Sequence, residues 1–233
     1  MKKRKLAILS IGQKPCLREN DDILTRLPED IEIMQYGALD GLTLEEIERD
    51  YAPGPGDVLL VGGACGVGVR LGEEKIVPRL QQRIFDAEQD GADAVLLQCT
   101  GEFPHFEHHV PLILPQLILN FTAAHMADGG KIDVILPDPD QVEDGIKRWK
   151  AAGVTTVVVS ASPYGDPSLI ERAALSLRDS GAQFVCLDCM GFTQHMKTLV
   201  GKASGLPVLL PRTLIACVAA EILSDIERKP GEI

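Results

Sequence analysis

Gly91-Ala92-Asp93-Ala94-Val95-Leu96-Leu97-Gln98-Cys99-Thr100-Gly101 is answered ninety positions later by Gly181-Ala182-Gln183-Phe184-Val185-Cys186-Leu187-Asp188-Cys189-Met190-Gly191. Glycine, alanine, valine, leucine, cysteine and glycine hold matching places, and the register carries on to His105 and His195, each six residues past its cysteine. Each copy reads as a helix stopped by glycine, then a short apolar strand, then a cysteine at the strand's carboxyl end. In open α/β sheets ligands bind at that end. Core packing alone would not require a cysteine and a glycine there in both copies. Two similar halves could therefore hold a small molecule between two thiols.

Outward from the repeat, apolar β-rich runs alternate with helical periodicity, the signature of parallel strands buried on both faces. The pattern predicts strands at 6–11, 31–35, 94–98, 132–136, 154–160, 184–188 and 207–210. It predicts helices at 18–27, 44–51, 73–89, 110–127, 141–151, 168–180, 193–203 and 213–227, with Thr43 and Glu46 as a capping box for the second. Residues 52–72 break the rhythm and have no counterpart in the second half. After the turn cluster Pro53-Gly54-Pro55-Gly56, residues 57–61 and 66–71 read as a β-hairpin inserted into the first half. Its glycines, Gly62, Gly63, Gly66 and Gly68, could cradle phosphate, but that would need a helix directly after them, and a second strand intervenes. The expected fold is α/β, with two pseudo-symmetric, doubly wound parallel-sheet lobes facing across a cleft. Residues 1–128 form the first lobe, completed by a C-terminal helix within 213–233, and 129–212 form the second.

The chain has 233 residues and a formal net charge of −11, which argues against nucleic acid as a partner. No apolar stretch is long enough to cross a bilayer, so no membrane is expected. Lys2-Lys3-Arg4-Lys5 followed by 6–11 imitates the start of a signal peptide, but Gly12-Gln13-Lys14-Pro15 cuts the run short and no cleavage pattern follows. A cytoplasmic location is the expectation. Six cysteines then read as reduced thiols rather than a disulfide framework. Cys186 and Cys189 have the spacing of a redox or zinc pair, yet Cys186 lies inside an apolar strand and reads as core.

The chemistry gathers at Cys99-Thr100-Gly101 and Cys189-Met190-Gly191. A thiol beside free backbone amides feels a positive potential that favours thiolate, and the glycine turns offer a socket for a carboxylate. One thiolate could remove a proton from the carbon next to a carboxylate while the opposite thiol returns one to the other face. No metal and no organic cofactor is required. On this reading Cys99 and Cys189 alkylate at lower pH than Cys186 and Cys217. Ser10 and Gly12, closing the first strand, and Ser160 and Ser162, closing the strand from 154, are candidate substrate contacts alongside Thr100, Gly101, Met190 and Gly191. Arg212 is the better-placed carboxylate clamp and Arg70 the other. His105 and His195 are candidate modulators of their neighbouring thiols. The cluster His105-Phe106-Glu107-His108-His109 could suggest zinc, but consecutive histidines cannot face one side of a helix and no second cluster appears. The partner implied is a small carboxylate-bearing molecule, with assembly into a homo-oligomer left open.

The two-cysteine plan resembles the aspartate/glutamate racemase superfamily, which includes hydantoin racemases, maleate isomerases and arylmalonate decarboxylases. In detail it resembles the AroM branch, through residues 6–12, Tyr51-Ala52-Pro53, Leu187-Asp188-Cys189-Met190-Gly191-Phe192 and Pro207-Val208-Leu209-Leu210 before the last helix. The resemblance spans nearly the whole chain. It implies a two-lobe fold and cofactor-independent racemase, isomerase or decarboxylase chemistry. Met190-Gly191 stands where racemases of acidic amino acids carry Thr-His after the second cysteine. A binding or sensing protein that kept the cleft without the catalysis is the competing reading.

Overall fold

A computed structural model describes residues 3–15, 17 and 21–224. In chain order the elements are β1 (Lys5–Ser10), β2 (Glu32–Gly37), α1 (Leu44–Asp50), β3 (Leu59–Ala64), β4 (Val67–Gly72), α2 (Glu73–Gln89), β5 (Ala94–Leu97), β6 (Leu112–Ile113) and α3 (Pro115–Ala127). Then follow β7 (Lys131–Leu136), α4 (Val142–Ala151), β8 (Thr155–Ser160), α5 (Pro167–Ser176), β9 (Val185–Leu187), α6 (Gln194–Ser204), β10 (Val208–Leu209) and α7 (Pro211–Leu223). One sheet runs β2-β1-β5-β6 and the other β8-β7-β9-β10, every pairing parallel. The second sheet repeats the first strand for strand. Helices flank both sheets, so the expected pair of doubly wound lobes is what the chain forms.

Strands covered on both faces must be apolar throughout, and Leu6, Ala7, Ile8 and Leu9 of β1 and all of β5 are fully buried. Each such Leu or Ile contributes roughly 1.5–3 kcal/mol by leaving water. The Thr43–Glu46 capping box closes in both directions, which starts α1 where expected. The closing helices are exchanged. α3 buries Leu119, Ala123 and Ala127 against Ile132, Val134, Trp149 and Phe184 of the second half. α7 returns Ile215, Ala216 and Ala219 to Leu6, Ile8, Ala94 and Leu96 of the first. Residues 225–233, into which the last helix was expected to run, lie outside the described residues. No helix among the described residues is long and apolar enough to cross a membrane.

Two expected helices differ. Within 110–127 the chain first makes a strand, β6, in which the Pro111 carbonyl accepts the Val95 amide, and the helix starts only at Pro115. The residue before a proline is pushed to extended backbone, so Leu114 cannot be helical and Pro115 takes the first helical place. At 18–27 only a short 3-10 turn over Leu24–Arg26 forms among the described residues; 18–20 lie outside them. Asp21 there accepts the Ile23 amide and the Arg212 guanidinium, which ties the segment to α7 instead of letting it coil freely.

The hairpin β3–β4 forms as read and docks on the end of β1. The Gln13 amide donates to the Gly63 carbonyl at 2.9 Å. A Cβ on Gly12 would lie 2.1 Å from that same carbonyl oxygen, so only glycine lets the two backbones touch. Gly12→Ala is expected to destabilise the fold by about 1–3 kcal/mol through overpacking, read from the denaturant midpoint. An unchanged midpoint would mean the hairpin is held elsewhere.

Candidate active site: two thiols in one cavity

The two cysteines occupy equivalent turns. β5 and β9 each end at a leucine, and the next residue crosses to a neighbouring strand: Gln98 N–H to the Leu9 carbonyl, Asp188 N–H to the Ile135 carbonyl. The chain then folds back, with the Cys99 amide bonded to Leu97 and the Cys189 amide to Leu187, both at 2.9 Å. Two residues on, the Gly101 and Gly191 amides each donate to the preceding cysteine's Sγ at 3.3 Å. The repeat in sequence is thus a repeat in hydrogen bonding. Both cysteines line one cavity of about 540 Å³, together with Ser10, Gln98, Tyr164, Met190, Arg212 and the hairpin tip from Val61 to Gly66.

Burial decides the state of these thiols. Loss of water pushes Cys99 and Cys189 up to about 12, against an ordinary 9.0, and the glycine amides pull back only part of this. The Asp188 carboxylate adds to the upward push on both, while Arg148 favours the thiolate of Cys99 and Arg212 that of Cys189. Charge on Cys99 also raises Cys189, so the pair is electrostatically coupled across the cavity. The positive potential expected from the sequence is present but outweighed by desolvation. Cys186 is fully buried in β9 and is raised well above its ordinary range by the same cause. Cys217 is exposed on α7 rather than buried, because it faces away from the β1 and β5 contact.

This reverses the expected order of alkylation relative to Cys217 and keeps it relative to Cys186. Exposed Cys65 and Cys217 should label first at neutral pH, Cys99 and Cys189 should gain reactivity as pH climbs toward about 12, and Cys186 should label last. Site-by-site iodoacetamide labelling against pH measures it; Cys99 or Cys189 reacting ahead of Cys217 at neutral pH would contradict it. Stability follows with a definite sign. A thiol whose pKa is raised on folding contributes fully below its ordinary 9.0 and loses that contribution as pH rises through about 12. Each of the pair should therefore cost about 1.4 kcal/mol per pH unit within that window.

The other candidates separate. Ser10 lines the cavity and its Oγ accepts the Gly12 amide, whereas Gly12 itself packs on the hairpin. Met190 and Gly191 line the cavity; Thr100 is buried beside it, and Gly101 opens on a smaller cavity shared with Cys99. Ser160 and Ser162 open instead into a neighbouring cavity of about 770 Å³, because the hairpin residue Val61 stands between the two spaces. Arg212 reaches the cavity already engaged: it donates to the Met190 carbonyl at 2.9 Å and to Asp21 at 2.5 Å, with Asp22 at 3.8 Å. It is a clasp between segments more than a free carboxylate clamp. Arg70 pairs with Asp138 and Asp140 and joins the hairpin to the second lobe.

His105 and His195 are both exposed and line no part of the cavity, so neither is placed to tune its thiol. Six residues carry the chain beyond the turn and out to solvent. His108 bonds the Val110 carbonyl and His109 the Glu88 carboxylate, and among the described residues no three His, Cys, Asp or Glu side chains cluster as a metal site needs. Sequence reasoning missed Tyr164 and the hairpin tip as cavity walls. It also missed the buried pair behind the thiols, where Asp188 accepts from Arg148 at 2.6 Å and from the Trp149 indole at 3.0 Å.

A family model described as AroM protein matches residues 6–223. The chain belongs to the AroM family. No curated protein matches this AroM chain in sequence. Its fold is similar to an allantoin racemase from Klebsiella pneumoniae (14% identity, 94% of this chain and 87% of that one, TM-score 0.59). It is similar too to a maleate isomerase from Pseudomonas putida (10%, 94% and 92%, TM-score 0.60) and to an arylmalonate decarboxylase (13%, 98% and 96%, TM-score 0.55). At these identities the likeness is one of fold.

Proposed function

We propose that this AroM protein is a cofactor-independent racemase or isomerase acting on the carbon next to the carboxylate of a small amino-acid-like or dicarboxylate molecule. The observation that carries the reading is the pair of equivalent cysteine turns lining one cavity. In the forward direction one cysteine, as thiolate, takes the α-proton and becomes thiol. The opposite thiol donates its proton to the other face of the carbon and becomes thiolate, so charge and protons balance over the cycle. The Ser10 hydroxyl and the Gln98 amide are among the uncharged polar groups of the cavity available to the substrate's oxygens. Because both thiols are raised, the base form is scarce at neutrality, and turnover rises with pH toward about 12.

That same elevation favours a second reading, a small-metabolite binding protein whose neutral thiols do not ionise. A panel of small carboxylates incubated with the protein in deuterated water separates the two. Catalysis exchanges the α-proton of one class of compound, at a rate that climbs with pH. Compounds that bind without exchange support the binding protein and reject the enzyme.

A further inference from the structure

Three tyrosines occur in the chain, and two of their hydroxyls are spoken for. Tyr36 donates to Asp90 at 2.7 Å, and the Tyr51 hydroxyl accepts from Arg79 at 3.3 Å. The Tyr164 hydroxyl has no protein partner among the described residues, and although the residue is 39% exposed its ring is closely flanked. It lies between the hairpin and the turn of Cys189. A Cβ added to Gly68 would stand 3.0 Å from the ring, and one added to Gly63 3.5 Å from it. On the other side a Cβ on Gly191 would meet the hydroxyl oxygen at 2.8 Å. Three glycines from two parts of the chain thus clear room for one phenol. Gly191 is also the residue whose amide holds the Cys189 sulfur.

From this we infer that Tyr164 is a substrate-binding residue whose hydroxyl donates a hydrogen bond to the carboxylate, or to the oxygens of its enolate, of the small molecule held against Cys189. The inference rests on the functional reading above and adds a donor to it. An unpaired phenol facing a cavity that also holds Gln98 and Ser10 supplies an oxygen's hydrogen bond without bringing a charge. Desolvation, with the two thiols beyond it, moves the phenol above its ordinary range, which favours the donor form. With Arg212 bonded to Asp21 and Met190, Tyr164 adds a neutral donor to a cavity whose lining also includes Lys14. A ring that merely filled space would serve as well without the hydroxyl.

The test uses two alkylating reagents of nearly equal size, iodoacetate, which carries a carboxylate beside its reactive carbon, and iodoacetamide, which does not. In either reaction the thiolate sulfur forms a bond to carbon as the carbon–iodine bond breaks and iodide leaves. Labelling is followed residue by residue, at a pH raised until iodoacetamide reaches Cys189 in the folded protein, with exposed Cys217 as internal reference. The iodoacetate-to-iodoacetamide ratio at Cys189 should exceed that at Cys217 by about tenfold or more. In Tyr164→Phe it should fall to the Cys217 value while the iodoacetamide rate stays put. An unchanged ratio in Tyr164→Phe, no preference in the wild type, or a Cys189 that no reagent reaches would each overturn the proposal. Absence of α-proton exchange across the carboxylate panel would reject the enzymatic reading alone, leaving the labelling ratio to judge Tyr164.

Discussion

Cys99→Ser and Cys189→Ser should each abolish full racemisation, with a loss on the order of a hundredfold to ten-thousandfold. The expectation rests on the two equivalent turns, each placing one cysteine in the lining of the same cavity. A serine hydroxyl fits where the thiol sits and keeps the glycine amide bonded, but it ionises far less readily and is a much poorer base. Each sulfur serves one face of the carbon, so the two variants should differ in kind. One should keep residual α-proton exchange with a single enantiomer and the other with its mirror image. Both are assayed against both enantiomers of a substrate found by the exchange screen. Full racemisation surviving in either variant would remove that cysteine from the mechanism and favour a one-thiol decarboxylase or a binding protein.

Arg148→Met should destabilise the fold by about 3–5 kcal/mol. Asp188 is almost wholly buried and takes hydrogen bonds from Arg148 and Trp149. Removing the guanidinium leaves a carboxylate in the interior with only an indole N–H to meet it. The double variant Arg148→Met, Asp188→Asn should recover most of the loss, since the cost lies in the unpaired charge and not in the missing side chain. Denaturant unfolding of the three variants measures this; equal losses in the single and double variants would place the cost in packing instead. The same change has a chemical readout. Arg148 favours the Cys99 thiolate and Asp188 opposes it, so the single variant should label more slowly at Cys99.

The fold was legible because its strongest signal is periodic and local. Val95, Leu97 and Cys99 recur as Val185, Leu187 and Cys189, and a strand buried on both faces leaves little freedom in what it is made of. A second echo went unread. Pro111-Leu112-Ile113-Leu114-Pro115 returns as Pro207-Val208-Leu209-Leu210-Pro211, each a two-residue strand handing over to a proline-started helix. Comparing the two would have shown a strand at 112–113 where helical periodicity alone suggested more helix. The site was legible in its thiols and not in their protonation. Spacing places a sulfur at a strand end but says nothing of how much water reaches it. Nor could it foresee that a hairpin without a counterpart would part Ser160 and Ser162 from the cysteines, or that Tyr164, two residues past Ser162, would turn back across three glycines.

The exchanged closing helices bear on how anything gets in. Each half is roofed by the other's last helix, α3 over the second sheet and α7 over the first. Swinging the halves apart like a clam would tear both roofs at once and expose Leu119, Ala123, Ile215 and Ala219 to water. The body of the molecule is in that sense a fixed vise, its jaws set at one separation by a double interlock. The glycine-rich hairpin tip from Val61 to Gly66 lines the cavity outside that interlock, and the hairpin is joined to the second lobe by Arg70, by Gln141 on the Leu59 carbonyl and by the ring of Tyr164, so entry there would disturb neither roof.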